Sequence, residues 1–178
     1  MPESGTNDFY YIGDSIAEGF RTAARGAGNT QVGRSPRAVY DAILETPADQ
    51  LQGKAVVLST GLSNAHSEAD IGIVEKQIAA LKSLGVQAHD ILILGVGDRA
   101  DFDGLNDRLT GIARGAGATF TGPLYNLSPD HVHPRSYGRP RADITPSSKT
   151  ASRPSFKLSA MVDGKSILRS SSVSIRRG

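Results

Sequence analysis

The 178-residue sequence contains no cysteine and no tryptophan. Without cysteine, a disulfide framework, a thiolate zinc site and a cysteine nucleophile are all excluded. No apolar run approaches the roughly 18 residues that a membrane-spanning helix requires. The N-terminal stretch, Met1 to Asp8, has no basic flank followed by an apolar segment, so no secretory signal peptide is expected. The expected location is the cytoplasm, or a virion or other assembly.

What remains is ordinary for a soluble globular chain, with 38% hydrophobic and 21% charged residues. The length supports one domain with a sizeable core. The charge is unevenly spread. Residues 1–133 hold 10 Lys+Arg against 16 Asp+Glu, a balance of −6, whereas residues 134–178 hold 10 against 2, a balance of +8. An acidic body with a basic extension is expected, rather than a uniformly basic nucleic-acid-binding domain.

Within the body, short apolar runs alternate with amphipathic stretches. Phe9 to Ile12 reads as a buried strand ending at Gly13, followed by a helix from Ile16 to Ala24. Thr30 to Gly33 is expected to be a second strand. Ser35-Pro36 reads as an N-cap with Pro at the first helical position. Ala55 to Leu58 is a third strand. Val74, Ile78, Leu81 and Leu84 mark a helix over 71–84 that stops at Gly85. Ile91 to Leu94 is a fourth strand, apolar throughout and so buried on both faces. A helix over 103–114, capped by Asp101 or Asp103, and a strand from Ala118 complete the pattern. Such alternation predicts βαβ units and a parallel sheet between helices, with ligands at the carboxyl ends of the strands.

From Pro134 onward the composition changes, with four prolines, many serines and scattered arginines. The expected division is a body over 1–142, a linker over 143–155 and a basic extension over 156–178. Asp163-Gly164 would turn a β-hairpin in that extension, and such a hairpin needs a docking surface.

Four features fall at strand ends in chain order: Gly13-Asp14-Ser15, Gly33, Gly61-Leu62-Ser63-Asn64, and Asp130-His131-Val132-His133-Pro134. A serine hydroxyl is a poor nucleophile until a base takes its proton. His133 can be that base, and Asp130 can fix its tautomer if a local turn brings the two together. Ala17 stands where the common α/β-hydrolase elbow has glycine. Residues 8–142 resemble the SGNH (GDSL-like) hydrolases, serine esterases with a three-layer α/β/α, flavodoxin-like fold. Gly61 and Asn64 stand one residue further apart than that family's Gly-x-Asn. The resemblance implies Ser15, Asp130 and His133 as a catalytic triad. It implies the backbone N–H groups of Ser15 and Gly33 and the side-chain amide of Asn64 as the oxyanion hole, with no cofactor.

Each residue also has a plainer role. Ser15 could simply open a helix, Asn64 shape a turn, and Gly33 turn without touching a ligand. A metal site on Asp130, His131 and His133 lacks a further ligand at supporting spacing. The acidic run from Asp98 to Gly104 fails the calcium-loop pattern. Gly95-Val96-Gly97 lacks the third glycine of a dinucleotide loop. The expected substrate is an ester with a short acyl group, such as acetyl on a glycan. The basic extension is expected to meet its own body or an acidic protein partner rather than nucleic acid. An alternative makes the domain a virion or envelope assembly component anchored by that extension, with or without esterase activity.

Overall fold

In the computed structural model the described residues are 8–137. They form a parallel five-stranded sheet: β1 (Phe9–Gly13), β2 (Ala27–Thr30), β3 (Ala55–Leu58), β4 (Ile91–Ile93) and β5 (Thr119–Phe120). The spatial order is β2-β1-β3-β4-β5. Five helices connect or flank them: α1 (Ser15–Ala24), α2 (Pro36–Glu45), α3 (Ala48–Leu51), α4 (Glu68–Ser83) and α5 (Leu105–Ala116). The chain leaves β1 toward β2, then returns across the sheet to β3. Right-handed crossovers place α1 on one face and α2, α4 and α5 on the other. The packing of α2 on α4 and of α4 on α5 agrees.

Apolar side chains on both faces explain the central strands. Ile12, Val56, Leu58, Ile91 and Ile93 are wholly shielded from solvent, each contributing about 1.5–3 kcal/mol by burial. The helices begin where capping side chains allow. Ser35 Oγ accepts from Ala38 N at 3.4 Å. Ser67 and Asp70 form a capping box at the start of α4, satisfying two otherwise unpaired backbone donors.

Several expectations need correction. β2 lies at Ala27–Thr30, whereas Val32 and Gly33 form a turn. This edge strand is made of small and polar residues, so it carries no apolar signal. Its Gly28 is required because a Cβ there would overlap the Tyr11 carbonyl. α4 starts at Glu68 rather than Ile71, because the capping box adds a polar turn ahead of the apolar pattern. α5 starts at Leu105. Its N-cap is Gly104, at φ 71° and without a side-chain cap, so neither Asp101 nor Asp103 caps it. Asp101 instead pairs with Arg99. The short α3 escaped the sequence reading. The proposed linker over 143–155 and basic extension over 156–178 lie outside the described residues. No helix among the described residues is long and apolar enough to cross a membrane.

Leu58→Ala should lower unfolding free energy by about 2–5 kcal/mol in a urea titration. A loss below about 1 kcal/mol would mean that β3 is not the core strand described.

Candidate active site

β1 and β3 are neighbours whose connections leave in opposite directions, the switch point where crevices open in such sheets. β1 ends at Gly13, whose φ is 144°. A Cβ there would overlap the Ser59 carbonyl, so only glycine lets the chain turn so close to the end of β3. Asp14 then caps α1 and is completely buried. Its Oδ1 accepts from Ile16 N at 3.0 Å and from Ser59 Oγ at 2.6 Å, and its Oδ2 accepts from Asn64 Nδ2 at 3.3 Å. Burial raises its pKa above the ordinary carboxylate value, opposed by the bonds from Ser59 and from the Ile16 and Ala17 backbone.

Ser15 is the first residue of α1. Its backbone N–H therefore has no partner within the helix and lies at the positive end of the helix dipole. Its Oγ is 2.8 Å from His133 Nε2, across 118 positions of sequence. His133 Nδ1 is 2.7 Å from Asp130 Oδ2. The sequence-level condition on this pair, that a local turn join them, is met by the loop after β5. Ser128 N donates to His133 O at 2.7 Å, and Leu127 bridges Pro134 in antiparallel fashion. Arg135 N closes the loop onto Asn126 O at 2.8 Å.

Inside this turn, Asp130 Oδ1 accepts from Val132 N at 2.9 Å and His133 N at 3.0 Å. Ser128 Oγ lies 2.6 Å from the same oxygen. The Ser128 hydroxyl first, then the His133 ring and the two backbone donors, holds the Asp130 carboxyl well below the usual carboxylate range. Asp130 is therefore ionised at neutral pH. An ionised partner at Nδ1 favours a proton there and leaves the Nε2 lone pair toward Ser15.

The sequence-predicted oxyanion residues are placed less simply. Asn64 sits in a turn, its N bonded to Gly61 O at 3.0 Å. Gly61 has φ 84° and abuts the Ser35 and Pro36 backbone, which leaves no room for a Cβ. The Asn64 amide donates to Arg34 O at 2.9 Å as well as to Asp14. Gly33, at φ 79°, occupies the exposed β2–α2 loop immediately before Arg34, with open space where a Cβ would stand. The structure thus joins Ser15, His133 and Asp130 directly. It ties Asn64 to Arg34, beside Gly33, and to Asp14, beside Ser15.

Ser59 and Ser128 were missed by sequence reasoning, and Asp14 was noted without a role. Asp14 could have been found from its capping position at the end of a buried strand. Ser59 and Ser128 carry no such local signal. His131, at φ 57°, pairs with Asp98 at 2.9 Å rather than with Ser15, Asp130 or His133. Among the described residues no group of three or more His, Asp or Glu side chains is arranged to hold a metal.

The fold is the α/β fold of solved GDSL-like hydrolase structures. The chain is similar to a GDSL-like lipase from Bacteroides thetaiotaomicron VPI-5482, at 15% identity and TM-score 0.55, covering 71% of this chain and 78% of the other. It is also similar to TesA, at 13% identity and TM-score 0.53, covering 71% and 88%. No family model and no curated protein matches the sequence.

Asp14→Ala would remove a helix cap and leave Ser59 without its buried partner. It should cost about 1–3 kcal/mol in chemical denaturation. A change within about 0.5 kcal/mol would show that Asp14 is dispensable to the turn.

Proposed function

We propose that the protein is a serine ester hydrolase that works through an acyl-enzyme. One observation carries the reading: a hydroxyl at a helix N-terminus, an imidazole and an ionised carboxylate are hydrogen-bonded in series at 2.8 and 2.7 Å. The fold shared with a GDSL-like lipase supports it.

Ser15 Oγ attacks the ester carbonyl carbon while its proton passes to His133 Nε2. Asp130 holds the ring in the tautomer that can accept that proton and stabilises the resulting imidazolium. The tetrahedral oxyanion is held by the N–H groups of Ser15 and Gly33 and by the Asn64 amide. Asn64 takes this part by exchanging its bond to the Arg34 carbonyl for one to the substrate oxygen. Collapse breaks the bond to the alcohol, which leaves with the proton from His133. Water, deprotonated by the same nitrogen, then attacks the acyl-Ser15 ester, and collapse returns the proton to Ser15 Oγ. No step requires a cofactor. A body of this size offers little for a lid or long acyl groove, so the substrates proposed are short acyl esters, such as O-acetyl groups on a glycan.

Ser15→Ala should abolish hydrolysis of p-nitrophenyl acetate without altering circular dichroism. Undiminished turnover by that variant would sink the mechanism. Asn64→Ala should lower kcat about 100- to 1,000-fold. A decrease under about threefold would remove Asn64 from the oxyanion role.

A further inference from the structure

Helix α1 contains a glycine, Gly19, in its interior, where alanine is ordinarily the better residue. Its neighbour supplies a reason. A Cβ at Gly19 would overlap the ring of Tyr137. That ring also stands edge-on to Phe20, with centroids 5.0 Å apart and planes at 87°. Tyr137 follows His133 by four residues, and Ser15 precedes Gly19 by four. The aromatic contact therefore joins the helix that carries the hydroxyl to the segment that carries the imidazole.

The other side of the same loop meets a second glycine. A Cβ at Gly97, just beyond β4, would overlap the His131 carbonyl and crowd Leu127. The loop bearing Asp130 and His133 is thus seated against the body at two places where side chains have been withheld. Gly97 fixes its approach to β4, and Gly19 fixes its approach to α1. Burial, with smaller effects from Asp14 and Asp130, pushes the Tyr137 phenol up to about 12. Tyr137 consequently packs as a neutral ring near both carboxylates.

We propose that Tyr137, seated in the notch at Gly19, is a positioning residue that holds His133 at hydrogen-bonding distance from Ser15. The proposal rests on the esterase reading for its catalytic consequence. His133 belongs to an irregular loop and Ser15 to a helix, so nothing in local secondary structure sets their separation. A misplacement of about 1 Å between reacting groups can cost roughly 100-fold in rate. The ring, not the hydroxyl, supplies the contact.

The test is a double-mutant cycle on p-nitrophenyl acetate hydrolysis and thermal unfolding. Gly19→Ala should lower kcat at least about tenfold, with KM changed less than about threefold, and should lower Tm. Tyr137→Ala should lower kcat comparably. Adding Gly19→Ala to Tyr137→Ala should then cause no further loss of kcat, and should raise Tm because alanine favours the helix once the notch is empty. Tyr137→Phe should keep kcat within about threefold of the wild type. Gly19→Ala effects that persist unchanged without the Tyr137 ring would overturn the proposal. A reversal in Tm with no change in kcat would reduce the contact to packing and overturn the positioning role. A wild type without turnover would remove the esterase reading instead. Positioning would then be judged by the nuclear Overhauser contact between the His133 ring and Ser15. Loss of that contact in Gly19→Ala, with retention in Tyr137→Phe, supports it, and retention in both overturns it.

Discussion

The buried carboxylate of Asp14 is the constraint on which the carboxyl end of the sheet depends. One side chain meets the first turn of α1, the end of β3 and the loop that follows β3. A carboxylate without partners would not be tolerated at such burial. Here each oxygen has a donor, so the cost of desolvation is offset by bonds that also fix geometry. Gly13 makes the arrangement possible, because any Cβ there would push β1 away from Ser59. The position of Ser15 is thereby set by β1, α1 and β3 together rather than by the flexibility of a turn.

Asp130 is the physical opposite of Asp14. Asp14 is buried, and desolvation raises its pKa; Asp130 is well exposed, and its hydrogen bonds lower its pKa. Asp14 acts through donors that it organises locally. In the proposed mechanism Asp130 remains an anion while His133 gains and loses a proton, and four neighbouring donors preserve that state. The sequence separation of three between Asp130 and His133 succeeds because the 126–135 segment closes on itself. In an extended chain the same spacing would point the two side chains away from one another.

Much of this was legible in the sequence, for identifiable reasons. The buried strands β1, β3 and β4 announced themselves as apolar runs, and Ser35-Pro36 marked the start of α2. The grouping of Ser15, Asp130 and His133 was legible because these residues fall at strand ends in chain order. The edge strand β2 was not, since Ala27 to Thr30 face solvent or half-face it and need no apolar pattern. The α5 N-terminus was misjudged because nearby aspartates suggested a cap that a left-handed glycine replaces. Tyr137 was not legible, since nothing local to it reveals the gap at Gly19. Pair contacts across more than 100 residues leave no periodic trace in either partner.

The longer Gly61-to-Asn64 spacing has a structural counterpart. The left-handed conformation at Gly61 presses the turn against the start of α2, and Asn64 meets the Arg34 carbonyl. Arg34 in turn donates to the Asn29 carbonyl at 2.7 Å, tying the loop to the end of β2. Through Asn64 the loops after β2 and β3 are joined to one another, and through Asp14 both are joined to the helix that begins with Ser15. An oxyanion site works best when its donors need no rearrangement as charge develops. In this chain the loop backbone is ordered in advance. In the proposed mechanism the remaining adjustment is confined to the Asn64 amide, which exchanges the neutral Arg34 carbonyl for a developing anion. That exchange is favourable in sign, since a hydrogen bond to an ionised acceptor is roughly twice as strong as one to a neutral acceptor. The additional residue makes Asn64 a structural tie in the resting molecule, and the proposed oxyanion contact needs only that one exchange.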